Sequence, residues 1–348
     1  MLMKKLTTLA SVLLVAVGVA APAFAQEPLK KVTFALGGDG FHMSMVHLAI
    51  EGGFMAKEGL EGEIIDVQSN SRQAAAVMGN SVDFAPMGLV QVMKSHAMGG
   101  SLEAVAILFK SLDTAMVVSN EAMEKNGITA DMSIDDKVKR LAGLRVAITS
   151  AGSSTDTFVR TLLKVRGLDA DSVISLQPVG SGASMLAAFE AGQVDAFAVS
   201  APHVQVAVQK GLGQIIVSSL KGEVPEMADV PYLVLCTSSE KVKNDGETIR
   251  KVVRAMTQAM DFAQKDPAGA RAIIRKHFSK IDDALFDEIW STYSLGLPQS
   301  PVISREQMEK AVAWLNITAT PPVEVSFDDV AKAGSDIATQ AAADVLAQ

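Results

Sequence analysis

The chain has 348 residues, 49% of them apolar and 20% charged, with 39 acidic side chains against 31 basic ones. A formal charge of −8 without basic clusters argues against a nucleic-acid partner, and the single cysteine, Cys236, excludes an internal disulfide. A chain this long buries a large core and suits about two domains.

Lys4 and Lys5 precede an apolar stretch from Leu9 to Ala21, and Ala23-Phe24-Ala25 follows as a small-x-small pattern. That is the layout of an export signal cut after Ala25. The stretch is shorter than the roughly 20 residues of a membrane-spanning helix, so a short anchor or a buried helix is the competing reading. Cleavage predicts a periplasmic protein starting at Gln26, two units more acidic, at −10. No cysteine near the cut points to a lipid anchor.

From Lys30 onward short apolar runs alternate with helical patterns. The predicted order is strand Val32–Leu36, helix Ser44–Lys57, strand Gly62–Val67, helix Ser71–Met78, strand Val82–Pro86, helix Leu89–Ala97 and strand Val105–Lys110. Glu121–Lys139 is charged, lacks strand signals and reads as a surface excursion. The order then restarts with strand Val146–Thr149, helix Ser154–Val165, strand Val173–Pro178, helix Ala183–Ala191, strand Val194–Val199, helix Val204–Lys210 and strand Gln214–Ser218. Alternation of this kind predicts parallel sheets covered by helices on both faces. After Pro231–Cys236 the pattern turns helical, over Glu247–Gln264, Ala268–His277, Asp283–Tyr293 and Arg305–Leu315. A polar, Ala-rich tail from Phe327 reads as one loose helix.

Ala74–Phe84 (AAAVMGNSVDF) and Ala187–Phe197 (AAFEAGQVDAF) are similar, each a helix end, a glycine turn and a strand start. Two copies of one α/β unit suggest two similar lobes, with the chain crossing between them near Phe109–Val117 and Met227–Leu235. The expected division is a leader at 1–25, lobe 1 at 26–112 and 236–325, lobe 2 at 113–235, and a tail at 326–348.

The run Ala49-Ile50-Glu51-Gly52-Gly53-Phe54-Met55-Ala56-Lys57-Glu58-Gly59-Leu60 resembles the A-x-x-x-G-[YF]-F-x-x-E-G-L signature of periplasmic substrate-binding proteins of ABC importers. The type is the nitrate/sulfonate/taurine family, related to the thiamine-pyrimidine-precursor binders; Met55 departs from the signature, where a second aromatic is usual. Gly79–Phe84, Leu141–Ile148, Gly152-Ser153-Ser154 and Ala187–Phe197 match further family units in the same order, between about Lys31 and Phe197. The resemblance implies a type II periplasmic-binding-protein fold of the α/β class, two lobes with a hinge and the C-terminal helices on lobe 1. It also implies a small-molecule ligand in the cleft, a permease partner in the inner membrane, and no cofactor.

Ligands of open α/β sheets sit at the carboxyl ends of the strands, which nominates the loops there. Gly38, Asp39, Phe41 and His42 follow the first strand; glycine allows close backbone approach, Phe41 is placed to stack and His42 to hydrogen-bond, unless the segment is a plain turn. Asn70 and Arg72 end the second strand, where Arg72 either meets an anion or lies on a solvated helix face, and Met87 and Gly88 end the third. Gly152, Ser153, Ser154 and Thr155 form an anion cradle of hydroxyls and free amides, or an ordinary helix cap. Ser181, Ser200 and His203 occupy the equivalent places after the next two strands.

No G-x-S-x-G elbow, phosphate-binding Gly-Lys loop, H-E-x-x-H or paired-cysteine pattern occurs, so no catalytic or metal-ligating residue is nominated. Cys236 lies in an apolar strand and reads as packed. The expectation is a monomeric, non-catalytic binder of a small organic anion of the sulfonate, taurine, nitrate or carboxylate kind, closing by hinge motion. The alternatives are a neutral heterocycle stacked on Phe41 or Phe109, a ligand-sensing partner of a membrane receptor, and an enzyme.

Overall fold

The computed structural model describes residues 28–347 apart from Asp39, Gln68 and Ser69; the leader expected at 1–25 lies outside the described residues. Ten strands are described: β1 (Lys30–Leu36), β2 (Leu60–Asp66), β3 (Ala85–Gly88), β4 (Leu102–Phe109), β5 (Ala115–Ser119), β6 (Arg145–Ile148), β7 (Ser175–Pro178), β8 (Ala196–Val199), β9 (Gly213–Ser218) and β10 (Leu233–Ser238).

They form two sheets of the same plan. In the first, β2 and β1 are parallel, β3, β10 and β4 lie side by side, and a Phe34–Phe84 bridge joins β1 to the start of β3, giving β2-β1-β3-β10-β4. The second runs β7-β6-β8-β5-β9. In each, the fourth strand is antiparallel to its neighbours: β10 to β3 and β4, and β5 to β8 and β9. Each antiparallel strand is the first one laid down after the chain passes from the other sheet, over residues 110–114 and again over 219–232.

Two expectations are corrected here. The sheets are mixed rather than wholly parallel, and the crossings are shorter than Phe109–Val117 and Met227–Leu235, because Ala115–Val117 belongs to strand β5 and Leu233–Leu235 to β10. The predicted helix Ser44–Lys57 is broken into Ser44–Glu51 and Phe54–Lys57 because Gly53 takes a left-handed backbone, φ 77°, that a side chain would disfavour.

Burial follows what covers each strand. Edge strand β2 has exposed and half-exposed residues beside buried Leu60, whereas central β10 and edge strand β4, on which the Lys332–Leu346 helix packs, read as near-continuous apolar runs, LVLCTS and LEAVAILF. Cys236 is fully buried in β10, as its apolar surroundings predict, and burial holds its thiol well above the ordinary range. The Glu121–Lys139 excursion contains two short helices, Asn120–Asn126 and Ile134–Lys139, each capped by a serine side chain at its start. The tail is not loose. Its helix Lys332–Leu346 buries Ala338 and Ala341, packs on β4 and on the Gly246–Lys265 helix, and its Asp344 pairs with Arg250 at 2.7 Å and Arg254 at 3.2 Å.

Candidate ligand site

The carboxyl ends of β1, β6, β7 and β8 converge on one cavity of about 90 Å³ between the sheets. Its walls are Gly37, Gly38, Gly40, His42 and Met43 after β1, Thr149, Ser150, Ser154 and Thr155 after β6, Gly180, Ser181 and Gly182 after β7, and Val199, Ser200 and His203 after β8. Tyr232, on the second crossing, closes it. None of these described lining residues is Lys, Arg, Asp or Glu.

Polarity comes from hydroxyls and helix starts. Ser153 caps the Ser154–Lys164 helix by accepting from the Asp156 amide at 3.3 Å, and Ser181 caps the Gly182–Glu190 helix by accepting from the Ser184 amide at 3.2 Å. Such caps contribute about 1 kcal/mol each and leave the remaining first-turn amides aimed outward, where the helix dipole favours negative charge. Thr149 organises the first loop: its amide donates to Thr155 Oγ1 at 3.0 Å, and its hydroxyl meets Ser153 Oγ and Thr155 Oγ1 at 2.9 Å each.

Glycine makes room for both histidines. A side chain on Gly40 would run into the His42 ring, and one on Gly182 into the His203 ring. Behind the wall sits Asp113, a buried carboxylate on the first crossing. Ser200 Oγ donates to Asp113 Oδ1, and His42 Nδ1 lies 3.4 Å from Oδ2, within ion-pair reach but not aligned as a hydrogen bond. Tyr232 Oη is 3.5 Å from Ser200 Oγ; burial, and then the Asp113 charge, push this phenol far above its ordinary range, so it stays neutral. Ser200, His42 and Asp113 do not form a nucleophile–base–carboxylate relay, because the serine hydroxyl is spent on the carboxylate itself.

Contacts between the two sheets' layers surround the cavity. The Phe41 amide donates to Ala201 O at 2.8 Å, Lys94 Nζ to Gly152 O at 2.7 Å, and Gln209 Nε2 to Asp282 Oδ2 at 2.6 Å. Burial lowers the Lys94 ammonium below its ordinary range, with the Asp156 carboxylate opposing.

Of the nominated residues, Gly38, His42, Ser154, Thr155, Ser181, Ser200 and His203 line this cavity. Phe41 does not. It is fully buried, stacked on Phe278 at 4.4 Å and edge-on to Tyr293 at 4.9 Å, so its ring belongs to the core behind the wall. Met87 is likewise core, buried on β3 opposite Val234. Gly88 is not a wall residue; its missing side chain is the space that Ser154 Oγ occupies. Gly152 and Ser153 face a separate, more open depression bordered by Lys94 and Pro321, and the Ser153 hydroxyl is consumed by its neighbours. Arg72 sits exposed in the first turn of the Asn70–Met78 helix, outside the cavity wall. Asp39 lies outside the described residues. Thr149, Asp113 and Tyr232 were not nominated. The last two stand on the crossings, where no helix or strand period marks them, although Tyr232 is one of only two tyrosines in the chain.

Known proteins share this fold. A protein of Bordetella bronchiseptica RB50 superposes with a TM-score of 0.76 at 23% identity, over 90% of this chain and 98% of that one. The periplasmic nitrate-binding protein NrtA from Synechocystis PCC 6803 gives 0.68 at 16% identity, over 92% and 90%. The alkanesulfonate-binding protein SsuA from Xanthomonas axonopodis pv. citri, bound to MOPS, gives 0.65 at 18% identity, over 82% and 90%. At these identities the likeness establishes the fold, that of the periplasmic binding proteins. In sequence, the "Putative aliphatic sulfonates-binding protein" of Bacillus subtilis (strain 168) is 27% identical over 165 residues, 47% of this chain. The match spans 45% of that relative, less than half its length. The last three of these are named as binding proteins. The model of the NMT1-like family matches residues 25–276, well over half the chain, and the protein belongs to that family.

Proposed function

We propose that this protein is the periplasmic solute-binding component of an ABC importer, holding a small organic anion between its two lobes without altering it chemically. The observation that carries this reading is the cavity wall: glycines, hydroxyls and two capped helix starts, with no formally charged side chain among the described lining residues. Amide and hydroxyl donors suit an anion, and a volume of about 90 Å³ is room for about three water-sized groups. Sulfonate-, nitrate- and carboxylate-like ligands fit that description, with Ser154, Thr155 and Ser181 as donors, Ser200 held by Asp113, and His42 and His203 setting the width.

Lobe 1 comprises 28–112 and 233–347, since β10 moves the expected boundary from 236 to Leu233, and lobe 2 comprises 113–232. The crossings at 110–114 and 219–232 are the hinge. Closure adds the lobe 2 donors to a ligand already resting on Gly38 and His42, so differential affinity favours the closed state. The protein acts as a monomer, exported by its 1–25 leader, and docks closed on a permease. A neutral heterocycle is the weaker reading, because Phe41 and Phe109, the rings on which it would stack, both lie in the core.

A thermal-shift screen of refolded protein, freed of co-purified ligand, tests this with taurine, alkanesulfonates, nitrate, aromatic carboxylates and hydroxymethylpyrimidine. Ligand at about 100 times its dissociation constant adds about 2.7 kcal/mol of stability. A shift with an anion is the expected result. A shift confined to the pyrimidine would replace the ligand class, and none with any compound would overturn the binding role.

A further inference from the structure

The Ser44–Glu51 helix and the end of the Pro267–Arg275 helix bring three ligand-type side chains together away from the cavity. His47 and Glu51 are four apart on one helix and so share a face. His277, in the single turn Lys276–Phe278, packs against them: its ring centroid is 3.8 Å from that of His47, with the planes 31° apart. His277 Nε2 bonds Glu51 Oε1, and His47 Nδ1 lies 4.0 Å from the same oxygen.

We propose that His47, Glu51 and His277 form a three-ligand site for a first-row divalent transition metal, with zinc the best fit. The candidate ligand atoms all lie within 4.8 Å of one another. Tetrahedral zinc, with bonds of about 2.0–2.2 Å, needs them roughly 3.4 Å apart, a change that side-chain rotation supplies. Two imidazoles and one carboxylate match the softness of zinc, and would not select calcium or magnesium, which take oxygen. The Glu51 and His277 side chains keep 33% and 28% of their exposure, which leaves the fourth position open to water. An ion here would clip the 276–278 turn to the first helix. The residue after His277 is Phe278, whose ring stacks on Phe41 behind the cavity wall. The site is independent of what the cavity holds.

The test is titration of zinc chloride into the protein from residue 26 onward, purified without a histidine tag, followed by calorimetry. Cobalt(II) substitution is read by its visible absorption. The expected result is one equivalent of zinc bound in the micromolar range, a four- or five-coordinate cobalt spectrum, and no response to calcium or magnesium. His47→Gln and His277→Gln, checked for unchanged melting in EDTA, should each weaken zinc at least tenfold. If a variant fails to fold, zinc protection of His47 and His277 from diethyl pyrocarbonate, read by mass spectrometry on the unmodified sequence, replaces it. Zinc binding that survives both variants, or no binding at hundreds of micromolar, would overturn the site. So would full reaction of both histidines with zinc present.

Discussion

Phe41→Ala separates two roles that a phenylalanine beside a ligand loop can have. Here the ring is fully buried and contacts Phe278, Phe286, Trp290 and Tyr293, with centroids between 4.4 and 6.5 Å away. Truncating a buried Phe costs about 3–5 kcal/mol, from lost transfer energy and the cavity left behind. Aromatic pairing contributes about 0.5–1.5 kcal/mol per pair beyond burial, which places this site toward the upper end. With a urea dependence of about 3 kcal/mol/M, a loss of 4 kcal/mol moves the unfolding midpoint down by about 1.3 M. The assay is urea unfolding followed by tryptophan fluorescence, since Trp290 is in the same cluster. Phe41→Leu keeps most of the volume and loses the ring contacts, and should fall by about 1 kcal/mol. An unchanged midpoint for Phe41→Ala, coupled to lost ligand affinity, would refute the core assignment and restore the ring to the ligand.

Three further outcomes follow from particular contacts. Ser154→Ala removes one cavity hydroxyl and should weaken the bound anion by about 1.5–3 kcal/mol, roughly ten- to a hundredfold, by calorimetry, with little change in melting. Cys236, fully buried, should resist Ellman's reagent in native protein and react with one equivalent after unfolding; prompt native reaction would contradict its packing. Burial raises the Asp83 and Asp245 carboxyls, but hydrogen bonds prevail, from Lys241 and Thr33 on Asp83 and from Thr248, Lys30 and Lys241 on Asp245, and both end below the ordinary value of 3.8. A depressed carboxyl stabilises the fold above its unfolded pKa and loses that contribution as pH falls toward the folded one. The stability advantage of the native sequence over Lys241→Met should therefore be steady near pH 6 and shrink below about pH 4 in urea melts. An advantage that grows on acidification would reverse the sign and refute the pairing.

Local signals made much of the fold legible. Leu89–Ala97 and Asp283–Tyr293 occupy the predicted spans because each has an apolar face, and the second has its own cap in Asp282. Serines before Ser154 and Gly182 mark two of the four loops that line the cavity. What escaped was non-local. Strand β5 is five residues long and has a place only because the other sheet's chain must enter antiparallel beside β8. Asp113 and Tyr232 matter through what the crossings bring beside them, and a crossing has no period. Phe41 reads as a loop aromatic until Phe278, far along the chain, stacks on it. His47 and His277 are hidden for the same reason.

Occupation of the cavity between the sheets by a small anion is what the proposed role requires. Gly182→Val addresses that, because a side chain there drives the His203 ring into a space of about 90 Å³, at a backbone conformation open to any residue. The measurement is calorimetric titration of the best anion from the thermal screen into refolded native protein and into Gly182→Val. One equivalent should bind the native protein, and the variant, destabilised by about 1–3 kcal/mol but folded, should show no measurable binding. Equal affinity in both would place the ligand elsewhere and contradict the central claim.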